Sequence, residues 1–323
     1  MSDDFLGRFR EEPDVEFAEA LSRRIHGLGK DAPSRPKRRL APVAVWAVSL
    51  GGAILVLLLP AGRAAARSFL DLFRVKHFAA VPVDPGRLAR LRQGGLDLKS
   101  LVSEQVEVVE PARAPETVDS PDAAADAAGM VVRRPSVLPK GADLLSVSVG
   151  HPGSFRLSLD TAKLEVLAHA LGVEDADIPA EWNGATVDVQ APPVVALRYQ
   201  RGGDEFVLLQ SKSPEVTLPA GIDLPRLGTL GLRMAGMSAE EAEIFAKSID
   251  WRSTLLVPIP AAGGTFREVE VHGRKGLLVT ALSEAKGSSR WHSVLLWAEG
   301  NVVFAAQGPG QGVEVLELAQ SVG

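Results

Sequence analysis

The stretch Asp119 to Val149, DSPDAAADAAGMVVRRPSVLPKGADLLSVSV, changes character twice, and the reading of those changes decides the fold. Ser120-Pro121-Asp122 has the form of a helix start, because a serine side chain can cap the first free backbone N–H groups and proline fits the first turn. Ala123 to Ala128 continues as a short helix and Gly129 supplies its stop. From Leu144 to Val149 the side chains alternate between apolar and polar, the period of a strand with one buried face. A folded domain should therefore begin at about Asp119.

Towards the C-terminus the same two periods keep mixing. FRLSLD is strand-like, TAKLEVLAHALG is helical with apolar positions at Leu164, Leu167 and Leu171, and TVDVQAPPVVALRY returns to alternation. Strands are predicted at Phe206 to Gln210, Arg267 to Val271, Gly276 to Ala281, Ser293 to Ala298 and Val302 to Ala306. Helices are predicted at Asp223 to Ala235, Ser238 to Ser248 and Gly312 to Val322, the second of them opened by a capping box of Ser238 and Glu241. Strands are seldom joined by crossover-length helices in strict alternation. The fold class is therefore α+β, with a mainly antiparallel sheet and packed helices.

Towards the N-terminus, Glu110 to Asp122 reads EPARAPETVDSPD, acidic and Pro-rich with no apolar period, as a linker does. Before it, RAAARSFLDLFRVKHF predicts a junction helix ending near Arg74, with Phe69, Leu72 and Phe73 on one face. Further back, Leu40 to Gly62 is an uncharged run, LAPVAVWAVSLGGAILVLLLPAG. At about 1.5 Å per residue it reaches a little over ~30 Å as a helix, the hydrocarbon thickness of a bilayer. It reads as a transmembrane helix in preference to a cleaved signal, whose apolar region is shorter, or a buried core helix. In the segment 1–39, Phe5, Leu6 and Phe9 lie one helical turn apart, and Phe17, Leu21, Ile25 and Leu28 continue at helical spacing after Pro13. Two helices this short have too little mutual surface to be stable alone, and Asp3, Asp4, Glu11, Glu12, Asp14, Glu16 and Glu19 disfavour an anionic membrane surface. Their apolar faces, with Phe5, Phe9, Phe17, Leu21 and Ile25 foremost, are expected to bind a cytoplasmic protein.

The PKRR cluster at 36–39 places the N-terminus in the cytoplasm and the large C-terminal portion outside it. The chain has no cysteine, which excludes disulfides, thiolate metal sites and a cysteine nucleophile. A net charge of −5 without a basic, aromatic-rich stripe argues against nucleic acid as a partner. The six histidines, His26, His77, His151, His169, His272 and His292, include no pair at i, i+4, so no metal site is expected. Ser283-Glu284-Ala285-Lys286 matches Ser-x-x-Lys, but in a polar loop rather than on a helical turn, and without companion motifs. Gly308-Pro309-Gly310-Gln311-Gly312 lacks the Lys-Ser/Thr of a phosphate loop. Neither catalysis nor a cofactor is expected.

The stretch that opens this section resembles the start of a family of bacterial extracytoplasmic domains known as DUF4367, in which an Ala-rich helix leads to a hydrophobic strand, a Pro-x-x-Leu-Pro-x-Gly turn and another strand. Pro135-Ser136-Val137-Leu138-Pro139-Lys140-Gly141 carries that turn in full. VHGRKGLLV, SVLLWAEGNVVFAAQG and VEVLELAQSV are similar to the family's closing order of glycine turn, Trp-bearing strand, strand and helix. The likeness covers about 119–149 and 195–322, with the segment 151–195 as an apparent insertion. It implies a single-pass membrane protein of anti-sigma-factor type, holding a sigma factor or other regulator at the cytoplasmic face. PDVEFAEALSRRI is also similar to the opening helix of many membrane-bound anti-sigma factors. The zinc-binding His-x-x-x-Cys-x-x-Cys element of the commonest such class cannot exist without cysteine. The family's distant likeness to lipoprotein-binding half-barrels makes Trp182, Trp251, Trp291 and Trp297 candidates for a ligand groove, although strand tryptophans more often fill a core. An envelope ligand-carrying or structural protein is accordingly the rival expectation.

Overall fold

The computed structural model describes residues 75–84, 86–87, 105–219, 221–260, 264–285 and 288–323. In chain order these form β1 (His77–Val83), β2 (Val106–Glu110), β3 (Glu116–Val118), helix α1 (Pro121–Ala128), β4 (Asp143–Gly150), β5 (Gly153–Ser158) and α2 (Thr161–Ala170). A short 3-10 helix (Ala180–Trp182) precedes β6 (Thr186–Ala191), β7 (Val194–Arg201), β8 (Asp204–Lys212), β9 (Glu215–Thr217), α3 (Leu224–Ala235) and α4 (Ala239–Ser248). The remaining elements are β10 (Thr254–Pro260), β11 (Gly264–Val271), β12 (Arg274–Ala285), β13 (Ser288–Glu299), β14 (Val302–Pro309) and α5 (Val313–Gln320). All belong to the chain's unit Val48–Gly323. The N-terminal helices, the run 40–62 and the junction helix face at Phe69, Leu72 and Phe73 lie outside the described residues. Among the described residues no helix is long and apolar enough to cross a membrane.

The helix starts follow from their caps. Ser120 Oγ accepts from Ala123 N at 3.1 Å before α1, and Ser238 and Glu241 close a reciprocal box before α4, Oγ accepting at 3.2 Å and the carboxylate accepting Ser238 N at 2.9 Å. The strands assemble as an eight-stranded sheet in the order β11-β12-β13-β14-β8-β7-β4-β3, a four-stranded sheet β2-β5-β6-β9, and the pair β1-β10. Every pairing is antiparallel except β1 with β10. The class is α+β with mainly antiparallel sheets, as the mixed periods predict.

Alternation then decides what each face buries. On one face of the large sheet Val147, Val149, Leu197, Phe206, Leu278, Leu295, Trp297 and Phe304 pack with Ala124 and Ala128 of α1 and Val315, Leu318 and Ala319 of α5. The small residues of α1 let the helix lie close to the sheet. On the other face Leu277 and Leu296 meet Val257 and Ile259 of β10, with Phe78 and Ala80 of β1 beside them. The β1-β10 pair in turn carries α3 and α4, through Val81, Leu256, Leu232, Ala242 and Ala246.

The folded body starts well before Asp119: Val75 and Val81 are fully buried, β2 pairs with β5, and β3 pairs with β4 inside the stretch expected to be a linker. An edge strand needs only backbone pairing on one side, so Glu116 and Thr117 of β3 stay in solvent and its composition is that of a linker. The segment 151–195 is likewise no detached insertion, because β5 and β6 join β2 and β9 in one sheet. β10, reading TLLVPIP, was not expected as a strand. Its prolines are accommodated because the strand pairs on one side alone.

Candidate functional site

The four tryptophans do not share a groove. Trp297 is fully buried on β13 and stacks on its cross-strand neighbour Phe304, ring centroids 4.9 Å apart. Trp182 is buried in the 3-10 helix, with Arg226 over its ring. Trp251 packs with α3 and α4 and donates its indole N–H to Ala246 O at 2.9 Å. Trp291 is 40 % exposed and paired across β12–β13 with the exposed Leu282. Trp182 and Trp297 are core residues at separate places, Trp251 is half-buried, and Trp291 lies at the surface. Phe5, Phe9, Phe17, Leu21 and Ile25 lie outside the described residues.

The structure instead gathers polar groups around Glu299, at the end of β13. Val271 and Arg274 are paired, so β11 and β12 are joined by the two residues His272 and Gly273, with φ of 49° and 71°. Positive φ at both positions is the requirement of a type I′ hairpin turn, and Gly273 meets it without strain. His272 is the only non-glycine residue with positive φ among the described residues. The turn aims its ring at two acceptors: Nδ1 lies 2.8 Å from Glu299 Oε1 and Nε2 lies 2.9 Å from Gln320 O at the end of α5.

Glu299 also accepts from the Trp297 indole N–H at 3.1 Å and from the Arg133 guanidinium. Arg133 in turn stands 5.3 Å from the centre of the Phe304 ring. Its backbone is held by the fully buried Gln210, which accepts from Arg133 N at 2.8 Å and donates to Arg133 O at 2.7 Å. One residue on, Arg134 and Gly323 exchange backbone bonds, and Pro135 bridges Val322. A single carboxylate thus ties together the β11–β12 turn, the end of β13, the strap 130–137 and the chain's C-terminal helix.

The electrostatics follow from the geometry. An ionised carboxylate and a backbone carbonyl only accept, so the imidazolium is the form of His272 that donates to both. Its pKa is raised above 6.5, first by the Gln320 carbonyl and then by Glu299, against burial and the repulsion of Arg133. For Glu299, burial pushes the carboxyl up, but Arg133 and His272 outweigh it and the pKa is lowered. The arrangement is a charged clasp. It holds separate segments of the chain together.

A separate cavity of about 340 Å³ opens where the four-stranded sheet meets β8, lined by Glu110, Gln190, Lys212, Ser213 and Asn301 among others. Ser213 is 6 % exposed and its hydroxyl has no hydrogen-bond partner among the described residues. No sequence pattern marked either place. The one local signal was His-Gly between two alternating runs, which is a hairpin signal and carries no information about Glu299.

No protein-family model matches the chain, and no curated protein matches it. Among solved structures, the X-ray structure of an uncharacterised protein from Mycobacterium smegmatis is similar at 12 % identity over 72 % of this chain and 93 % of that one. Its TM-score is 0.22, and the likeness carries no argument.

Proposed function

We propose that the chain is a single-pass membrane regulator of anti-sigma-factor type, with a DUF4367-like body outside the cytoplasm and the N-terminal segment engaged with a sigma factor or a similar regulator inside. The observation that carries this reading is the way the chain enters the body. Only the residues 63–74 separate the uncharged run 40–62 from Val75, and Val75 and Val81 are core residues. The first described residue after the run is thus a core residue, with twelve residues of sequence between them. A change in how β1 packs would be felt at the run, which is what a regulator spanning a bilayer needs. The Glu299 clasp gives the body a second fixed point, at the closing helix.

The test is recovery of partners by the full-length protein from cross-linked membranes, compared with Phe17→Ala/Leu21→Ala. Truncated interface anchors commonly cost about 2 kcal/mol or more, roughly a thirtyfold loss of affinity. A sigma factor recovered with the unaltered chain and lost with the double variant supports the proposal. Equal recovery by both would remove the helix from the contact surface. A membrane-retained chain that recovers no regulator at all would favour the envelope carrier or structural role.

A further inference from the structure

Where the described chain begins, Val75, Lys76 and His77 lie beside the β11–β12 turn and the end of β13. A cavity of about 560 Å³ lies between them, lined by Val75, Lys76, His77, Gly273, Arg274, Lys275, Ala298 and Gly300. Three of these residues are cationic and none is acidic, in a chain whose net charge is −5. Lys275 donates to Glu268 at 3.0 Å on the exposed strand surface, and Glu270 stands opposite it in register. The nearby Glu299 carboxylate is already taken by Arg133 and His272. Asp250 accepts from the Ser253 hydroxyl and the Arg252 N–H and also lies within the field of Lys76. Arg274 thus faces the cavity with no acidic partner among the described residues, and Lys76 faces it with the Asp250 carboxylate as a neighbouring charge.

We infer that this cavity is an anion site for a phosphate monoester or diester, and that its occupant is the phosphate of a phospholipid headgroup. The identification of the occupant rests on the membrane reading above. From Gly62 to Val75 is a step of thirteen residues, which cannot exceed about 45 Å even when fully extended. If the run 40–62 spans the bilayer, the cavity is leashed within that distance of the outer headgroups. Arginine presents a fork that matches phosphate oxygens and lysine a compact charge, and the two together suit a phosphate better than a carboxylate. Near an anionic surface each such charge adds about fivefold to binding. Seating the cavity on headgroups would fix the body's pose at the membrane by its β11–β12 end, next to the Glu299 clasp.

The absence of native cysteine allows a single fluorescent label at Glu270→Cys, across from Lys275. The full-length protein is placed in nanodiscs of phosphatidylcholine, with or without phosphatidylglycerol, and quenching by a headgroup-labelled lipid is measured. Greater quenching with phosphatidylglycerol, abolished in Lys76→Gln/Arg274→Gln, supports the site and its lipid occupant. A label that is insensitive to phosphatidylglycerol but responds to glycerol phosphate, again only with Lys76 and Arg274 intact, overturns the lipid and keeps the anion site. No response to either, or a response that survives the double variant, overturns the site. A chain that never enters the nanodiscs overturns the membrane reading instead, and the glycerol phosphate titration then decides the site in solution.

Discussion

His272 donates to two obligate acceptors from a turn position that most side chains avoid, so its charge and its backbone conformation depend on one another. A group whose folded pKa is raised contributes stability below its ordinary value of 6.5, and that contribution is lost as the pH climbs through the higher folded value. Asparagine accepts the same turn conformation without the ring. His272→Asn should therefore lower stability by about 1 kcal/mol at mildly acid pH and by much less above the folded pKa. Denaturant titrations across pH test this, and an equal loss at both ends would mean that the ring packs without holding a charge. Gly228 makes a second residue-scale case. A methyl group there would stand 1.8 Å from the Trp251 ring. Alanine in mid-helix ordinarily gains about 1 kcal/mol over glycine, but overpacking a ring typically costs about 1–3 kcal/mol. Gly228→Ala should on balance lower the melting temperature, and a rise would show that Trp251 yields without cost.

Among the elements, β1 carries the most consequence. It buries Val81 under α3 and α4 and sets Phe78 and Ala80 against the large sheet. A fragment beginning at Asp119 lacks β1, β2 and β3. It exposes an edge of β10 and the core beneath, and it should show no cooperative thermal transition, whereas a fragment beginning at Val75 should show one. Calorimetry of the two fragments decides, and cooperative melting of the shorter one would return the boundary to Asp119. The contrast also shows what was readable in advance. α4 was legible because its capping box is local, Ser238 and Glu241 three residues apart, and β4 because Val147 and Val149 alternate with serines on a sheet buried on one face. β1 was not, since HFAAVPV follows an aromatic helical pattern and its strand partner, β10, is remote in sequence and carries two prolines. The candidate site was hidden for the same reason. Glu299, His272, Arg133 and Gln320 meet through four elements with no shared spacing, while the tryptophans that stood out in the sequence lie apart, two in the core, one half-buried and one at the surface.

At the scale of the whole molecule the central claim is a topology: a cytoplasmic N-terminus, one crossing between 40 and 62, and the body from Val75 onward outside. The clasp and the cationic cavity acquire their proposed meaning from it, since both lie at the end of the body where the chain arrives. A chain without cysteine can be interrogated one site at a time. Ile244 is 63 % exposed on α4 and tolerates a label there, and Ser2 lies near the opposite terminus. The decisive measurement is the reaction of Ile244→Cys and Ser2→Cys, in separate full-length chains, with a membrane-impermeant maleimide on intact spheroplasts and again after permeabilisation. The account predicts that the Ile244→Cys chain is labelled on intact spheroplasts and the Ser2→Cys chain only after permeabilisation. Labelling of the Ser2→Cys chain on intact spheroplasts, or protection of the Ile244→Cys chain until the membrane is opened, would contradict it.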